Sequence, residues 1–290
     1  MSQAPRPFLF VLVWIFGCPL AIGAEKELTV VKVSWETDYR HAMDIANQQR
    51  KMLLVFFNNA NDPYSQRMEN ESLSNPEIMQ KLQELVCLRL PLDAKVPLEG
   101  KDVVLLQHPS LSEMMGRPGL AIADFAHADP HLHGCIVSVF PLTGGIFYGP
   151  AEMKVILDLP PGTLTQRTLI YAVRIHPERP ASALGRPDER LLAEAESHSQ
   201  YQARIRLQGH HGWSSRFPRI AAMLGSSPRE VCAESWPGQN LLESAIECVH
   251  CWRQSSGHWS AVLAHNRAFG YDMKLGANGI WYATGIFAAD

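Results

Sequence analysis

Met52-Leu53-Leu54-Val55-Phe56-Phe57 is an unbroken apolar run of strand length. A sheet covered on both faces calls for such a run, because each side chain must be buried whichever way it points. Upstream, residues 37–50 place Ala42, Ile45 and Ala46 at helical spacing, which predicts a helix. Downstream, a polar loop from Asn58 to Asp62 leads to Pro63 and a helix carrying Met68 and Leu73. Asn75-Pro76 opens another helix with Ile78, Leu82 and Leu85 inward, and Val86 to Asp93 reads as a second buried strand. Buried strands alternating with helices predict an α/β domain.

Further out the pattern loosens. Leu28 to Val33 reads as a short first strand, and residues 94–115 as an irregular insert ending in a short helix. Gly116-Arg117-Pro118-Gly119 introduces a strand over Leu120–Phe125, with His133–Phe140 as its antiparallel neighbour. Leu164 to Ile175 is a closing helix capped by Thr163 or Thr165. Three prolines and one glycine between His176 and Pro187 mark a domain boundary. Beyond it, Leu191, Leu192, Ala195, His198, Tyr201, Gln202 and Ile205 follow a helical pattern.

The 290 residues are enough for two domains. Hydrophobic content of 46% and charged content of 19% are those of globular protein, and a net charge of −3 offers nothing to nucleic acid. The first 24 residues read as a secretory signal peptide: Arg6, an apolar core over Phe8–Phe16, then small residues at Ala21, Gly23 and Ala24. The chain is expected to be secreted or periplasmic; an uncleaved membrane anchor is the alternative. Cleavage leaves Cys87, Cys135, Cys232, Cys248 and Cys251, an odd number, so at least one thiol is free or intermolecular. Geometry must decide whether Cys232 pairs with Cys248 or Cys251.

In the second half His210-His211, Glu234 and His258 lie on three separate segments, and His258 follows the Ser255-Ser256-Gly257 turn after a Trp252-bearing helix. Imidazoles and a carboxylate meeting in one cleft could bind a divalent metal or move a proton. Cys248-Val249-His250-Cys251 is a helical pair without a second pair, which is weak evidence for zinc.

Residues 27–178, with LLVFF, DPYSQRME, VCLRLPLD and GRPGLAIADF in order, resemble a thioredoxin-like domain. The segment Asp62-Pro63-Tyr64-Ser65 stands where that family carries Cys-Pro-Tyr-Cys, and Pro118 stands at the family's cis-proline. With Asp62 and Ser65 replacing both thiols, disulfide exchange has no nucleophile.

Residues 188–290 resemble the CAP superfamily of secreted proteins, through HSQYQARIRLQGHHGW, CAESW, CWRQSSGH and FGYDMKLGANGIWYATGIFA. The resemblance implies a cleft lined by His211 or His210, Glu234 and His258. Glu247 is the candidate fourth group, and zinc or another divalent cation the candidate metal on His211 and His258. It implies a lipid, glycan or peptide ligand; a protein partner docking on the thiol-free domain is a further expectation.

The expected fold is therefore α/β and α+β, a thioredoxin-like α/β domain followed by a CAP-like α-β-α sandwich. Its divisions are a signal peptide at 1–24, domains at 25–178 and 188–290, and a linker at 179–187. Binding is the expected function, with metal-assisted hydrolysis and a chaperone-like scaffold as alternatives.

Overall fold

The computed structural model describes residues 32–98, 100–143 and 145–288. The signal-peptide reading of 1–24 and most of the strand expected over 28–33 lie outside the described residues.

The opening segments are β1 (Trp35–Glu36), α1 (Tyr39–Gln49), β2 (Leu53–Asn58) and α2 (Pro63–Arg67). A π-helical turn over Met68–Ser72 follows, then α3 (Pro76–Leu82) and β3 (Val86–Pro91). The insert folds as a hairpin of β4 (Lys95–Leu98) and β5 (Lys101–Val104), followed by 3₁₀ turns at Leu105–Gln107 and Pro109–Met114. Next come β6 (Gly119–Ala123), β7 (Ile136–Pro141), α4 (Pro150–Leu157) and α5 (Leu164–Ile175). One sheet runs β1-β3-β2-β6-β7. Its first three strands are parallel, and β6 and β7 each reverse direction. The LLVFF run is its centre: Leu53, Leu54, Val55, Phe56 and Phe57 are all buried, as a strand covered on both sides requires.

Short polar signals set the helix ends. The Asp62 carboxylate accepts the Ser65 N–H at 2.7 Å and so caps α2. The Ser65 hydroxyl, fully buried, accepts from the Asn59 N–H at 3.0 Å and donates to Asn58 Oδ1 at 3.3 Å. An aspartate and a serine thus hold this turn through hydrogen bonds. Asp62→Ala should lower stability by about 1 kcal/mol, measured by urea unfolding; an unchanged midpoint would mean the cap contributes nothing. Thr163, rather than Thr165, caps α5, in a reciprocal capping box with Gln166. Pro118, the counterpart of a cis-proline by resemblance, is preceded by a trans peptide here.

The second half contains β8 (Arg186–Pro187), α6 (Glu189–Ile205), α7 (Trp213–Leu224) and β9 (Pro228–Glu234). It closes with α8 (Leu241–Gln254), α9 (Ser256–Leu263), β10 (Ala268–Leu275) and β11 (Trp281–Ala288). Its sheet runs β8-β10-β11-β9, with β10, β11 and β9 antiparallel. The architecture is thus mixed α/β, with sheets of mixed strand direction.

The two halves share a core. Helix α5 is buried from Gln166 to Val173 and packs on β7 on one side and on α8 and β10 on the other. Burial lowers the pKa of the Arg167 guanidinium to about 10, and that group donates to Ser138 Oγ at 2.8 Å and Pro160 O at 2.8 Å. Residues 179–187, expected as a linker, are tied down in the described structure. Ser182 and Ala183 are fully buried, the Ser182 and Tyr271 hydroxyls lie 2.7 Å apart, and Arg186–Pro187 pairs with β10. No disulfide forms among the described residues: Cys87, Cys135, Cys232, Cys248 and Cys251 are free thiols. The pairing of Cys232 with Cys248 or Cys251 is therefore not present. Among the described residues, no helix is long and apolar enough to cross a membrane.

Candidate functional site: a histidine pair backed by a buried glutamate

The loop after α6 delivers His210. Arg206 ends the helix in the left-handed conformation, and the loop is then pinned from the core. The Gly209 N–H donates to Gln202 Oε1 at 3.0 Å, and the Gln208 amide donates to the Cys232 carbonyl at 3.2 Å. Gly209 has φ +156°, which side chains rarely adopt, and a Cβ there would lie 3.1 Å from His211 Nε2, so a larger residue would strain the turn and push on the His211 ring. Gly212, at φ +65°, starts α7. His258 comes from the first turn of α9, whose N-cap Ser255 accepts the His258 N–H at 3.5 Å.

These segments bring two imidazoles together. His210 Nε2 and His258 Nε2 are 3.0 Å apart, while the opposite nitrogen of His210, Nδ1, is 3.0 Å from Glu230 Oε1. The carboxylate accepts a hydrogen bond from the Nδ1–H, which leaves His210 Nε2 free to share one proton with His258, or to give its lone pair elsewhere. The other carboxylate oxygen, Glu230 Oε2, is 2.7 Å from Arg216 Nη1 of α7, and the Glu230 side chain is wholly buried. Burial alone would raise the Glu230 pKa. The His210 hydrogen bond and the charges of Arg216 and His198 outweigh it, so the net shift is downward and Glu230 stays ionised. The His258 pKa is lowered, by burial first and by its histidine neighbour second, against the pull of Glu230. Neutral His258 is a lone-pair donor at neutral pH.

A second set of groups lies behind the pair. His198, Glu230 and Cys232 place one donor atom each within 4.8 Å of one another. His198 Nε2 is engaged with the Gly209 carbonyl at 2.9 Å, which requires that nitrogen to carry the proton. The Cys232 thiol is pushed well up by burial and then by Glu230, so it stays protonated. This inner trio supports the loop and is poorly prepared to hold an ion.

The sequence-derived residues fall in different places. His210 and His258 meet. His211, expected at the metal, turns away: its Nε2 is 3.1 Å from the Leu207 carbonyl, and its ring packs near Tyr201. The acid facing the pair is Glu230, not Glu234. Glu234 is exposed at the end of β9, about 13 Å further along the strand at the usual rise. Glu247 faces elsewhere, accepting from the Trp236 indole at 3.1 Å, with the Cys251 thiol 3.7 Å away. Cys251 is pushed up to about 11, mainly by burial, and Cys248 well above its ordinary value by burial, so neither is an activated thiol. Asp62 and Ser65 cap α2 as described, and Pro118 gives its carbonyl to the Leu142 N–H at 2.8 Å.

Glu230, Arg216 and His198 were missed. Glu230, Cys232 and Glu234 alternate on a seven-residue strand, so strand period offered both acids for one face and did not choose between them. His198 already stood on the apolar stripe of its helix. Nothing in the sequence tied Arg216 to either.

Comparison with protein-family models gives no match, and a search among curated proteins gives none either.

Proposed function

We propose that the chain is an exported binding protein whose His210–His258 pair, oriented by Glu230, holds a divalent cation and through it an oxygen-bearing ligand. The single observation that supports this most is the 3.0 Å approach of two Nε2 atoms with a buried carboxylate on the far nitrogen of one of them. Two nitrogens bound to one tetrahedral zinc lie about 3.3 Å apart, given bonds of about 2.0–2.1 Å. The pair is thus already close to the spacing an ion imposes, and the Glu230–His210 contact is the arrangement that fixes ligand orientation in zinc sites. Two protein ligands leave coordination positions open. Oxygens of a lipid headgroup, glycan or peptide would complete the shell, and affinity for the bare ion would be modest.

On this reading the first half is a thioredoxin-like domain without redox activity and the second is CAP-like. The strand order β1-β3-β2-β6-β7, with its parallel and antiparallel members, supports the former. The antiparallel β10-β11-β9 sheet, flanked by α6 on one side and α8 on the other, supports the latter. Disulfide exchange is not part of the proposal, because Asp62 and Ser65 supply no thiolate.

Titration calorimetry with zinc tests the site. His258→Ala and His210→Ala should each weaken binding at least tenfold, while His211→Ala leaves it within about twofold, since removal of a ligand or its orienting partner costs on the order of 10–100-fold. Equal losses in all three variants, or none, would reject the assignment.

A further inference from the structure

The five-stranded sheet is covered unequally. Its Leu54–Phe56 face packs into the larger core with α4 and α5, whereas the Leu53–Val55–Phe57 face meets α1, the β4–β5 hairpin, the 3₁₀ turns, Phe125 and Leu164 at the start of α5. Ala121 and Ala123, short side chains on β6, sit opposite Val55 and Leu53 and leave a hollow. The result is a cavity of about 570 Å³ reaching from β2 to Leu241 and Trp281 of the second half. It contains none of the histidine-pair residues.

Its lining defines what could fill it. The walls are mostly hydrocarbon, from Leu53, Val55, Phe57, Phe125 and Ile136, and among the described residues neither lysine nor arginine contributes. Ser110, Ser112 and Thr165 supply hydroxyls. Among the described residues of the lining the one carboxylate is Glu113, which accepts the Leu241 N–H at 3.0 Å at the start of α8, where the positive end of the helix compensates its charge. The mouth carries exposed His108 and exposed Cys135. A cavity of this size, apolar with a few hydroxyls, is of the dimensions that hold a small ligand.

We propose that this cavity binds an uncharged, hydroxyl-bearing aliphatic molecule, its chain against β2 and β6 and its hydroxyl among the serines and Thr165. A carboxylate or phosphate headgroup would find no lysine or arginine among the described lining residues and would face Glu113, so anions of the same chain length bind poorly.

Cys135 gives a local readout, because it is the exposed thiol among the five described. The rate of its alkylation by iodoacetamide is to be measured on the whole protein, with 1-dodecanol, with dodecanoate and with neither; Cys135→Ser identifies the reacting thiol. At 1-dodecanol about ten times its Kd, with Kd taken from displacement of N-phenyl-1-naphthylamine, alkylation should slow about tenfold. Dodecanoate at the same concentration should leave it within twofold. Ile136→Trp and Leu98→Trp, both at half-buried lining positions, should each abolish the protection while circular dichroism stays native. Unslowed alkylation with bound dodecanol, or protection that survives both tryptophans, would place the ligand elsewhere and overturn the proposal. Equal protection by dodecanoate would overturn the preference for an uncharged ligand.

Discussion

Glu230→Ala is expected to lower stability by about 3–5 kcal/mol, the range for removing one partner of a buried ion pair. In a chain of this length that is a fall in melting temperature of roughly 6–20 °C. The carboxylate is wholly buried, pairs with Arg216 at 2.7 Å and accepts from His210 at 3.0 Å. Its removal leaves the Arg216 charge without a counter-ion, and two nitrogens of that guanidinium already have no hydrogen-bond partner. It also frees the His210 ring to rotate. Glu230→Gln keeps the shape and a carbonyl oxygen, so it should retain more stability than alanine and still lose about 10–100-fold in zinc affinity. Differential scanning calorimetry and zinc titration of both variants separate the two effects. An alanine variant as stable as the parent would show that the ion pair is not integral to the fold.

Asp272→Asn is expected to stabilise the protein above pH 6. The Asp272 carboxyl lies wholly buried on β10, accepts the Thr165 hydroxyl at 2.6 Å and pairs with Lys274 at 3.0 Å. Burial nevertheless raises its pKa to about 6, since it outweighs Lys274 and the Thr165 hydrogen bond. The unfolded chain titrates this group near the ordinary value, about 3.9. Below that pH both states are protonated and the site carries no penalty. Between about 4 and 6 the folded state holds a proton the unfolded state has lost, so stability falls as pH rises. Above 6 the ionised group costs about 3 kcal/mol, from two pK units at about 1.4 kcal/mol each. The asparagine should therefore be more stable than the parent at pH 8, with the difference shrinking to near zero at pH 4. Chemical denaturation at the two pH values measures this. A less stable asparagine variant at pH 8 would show that the Lys274 pair prevails over burial.

Much of the architecture could be read from local pattern. Apolar runs such as Leu53–Phe57 and Val86–Leu90 are buried on both sides of a sheet, and that constraint is visible without coordinates. So are the caps: Asp62, Asn75 and Thr163 each stand before a helix and accept from its first turn. What local pattern hid was long-range compensation. Helix α7 contains Pro218, which argues against a helix, yet it forms and supplies Arg216. The Pro-rich stretch near 180 looked like a tether, because the Ser182–Tyr271 contact that buries it joins residues 89 apart.

The site was legible in its histidines and illegible in its acid. His210 and His258 stood out because imidazoles flanked by glycine and serine suggest loops and helix starts. Glu234 drew attention over Glu230 by resemblance to a motif; what separates them is that Glu230 lies inside β9 beside Arg216 and His210, while Glu234 ends the strand exposed. Choosing between His210 and His211 requires knowing the turn around Gly209, which has φ +156° and after which His210 meets His258 while His211 meets the Leu207 carbonyl. Residue type alone does not report such a dihedral.

A crystal structure of the protein grown with zinc tests the central claim most directly. The ion is expected between His210 Nε2 and His258 Nε2, about 2.0–2.1 Å from each, with Glu230 still on His210 Nδ1. Zinc held instead by Glu234 or His211, or a histidine pair left unbound at saturating metal, would contradict it.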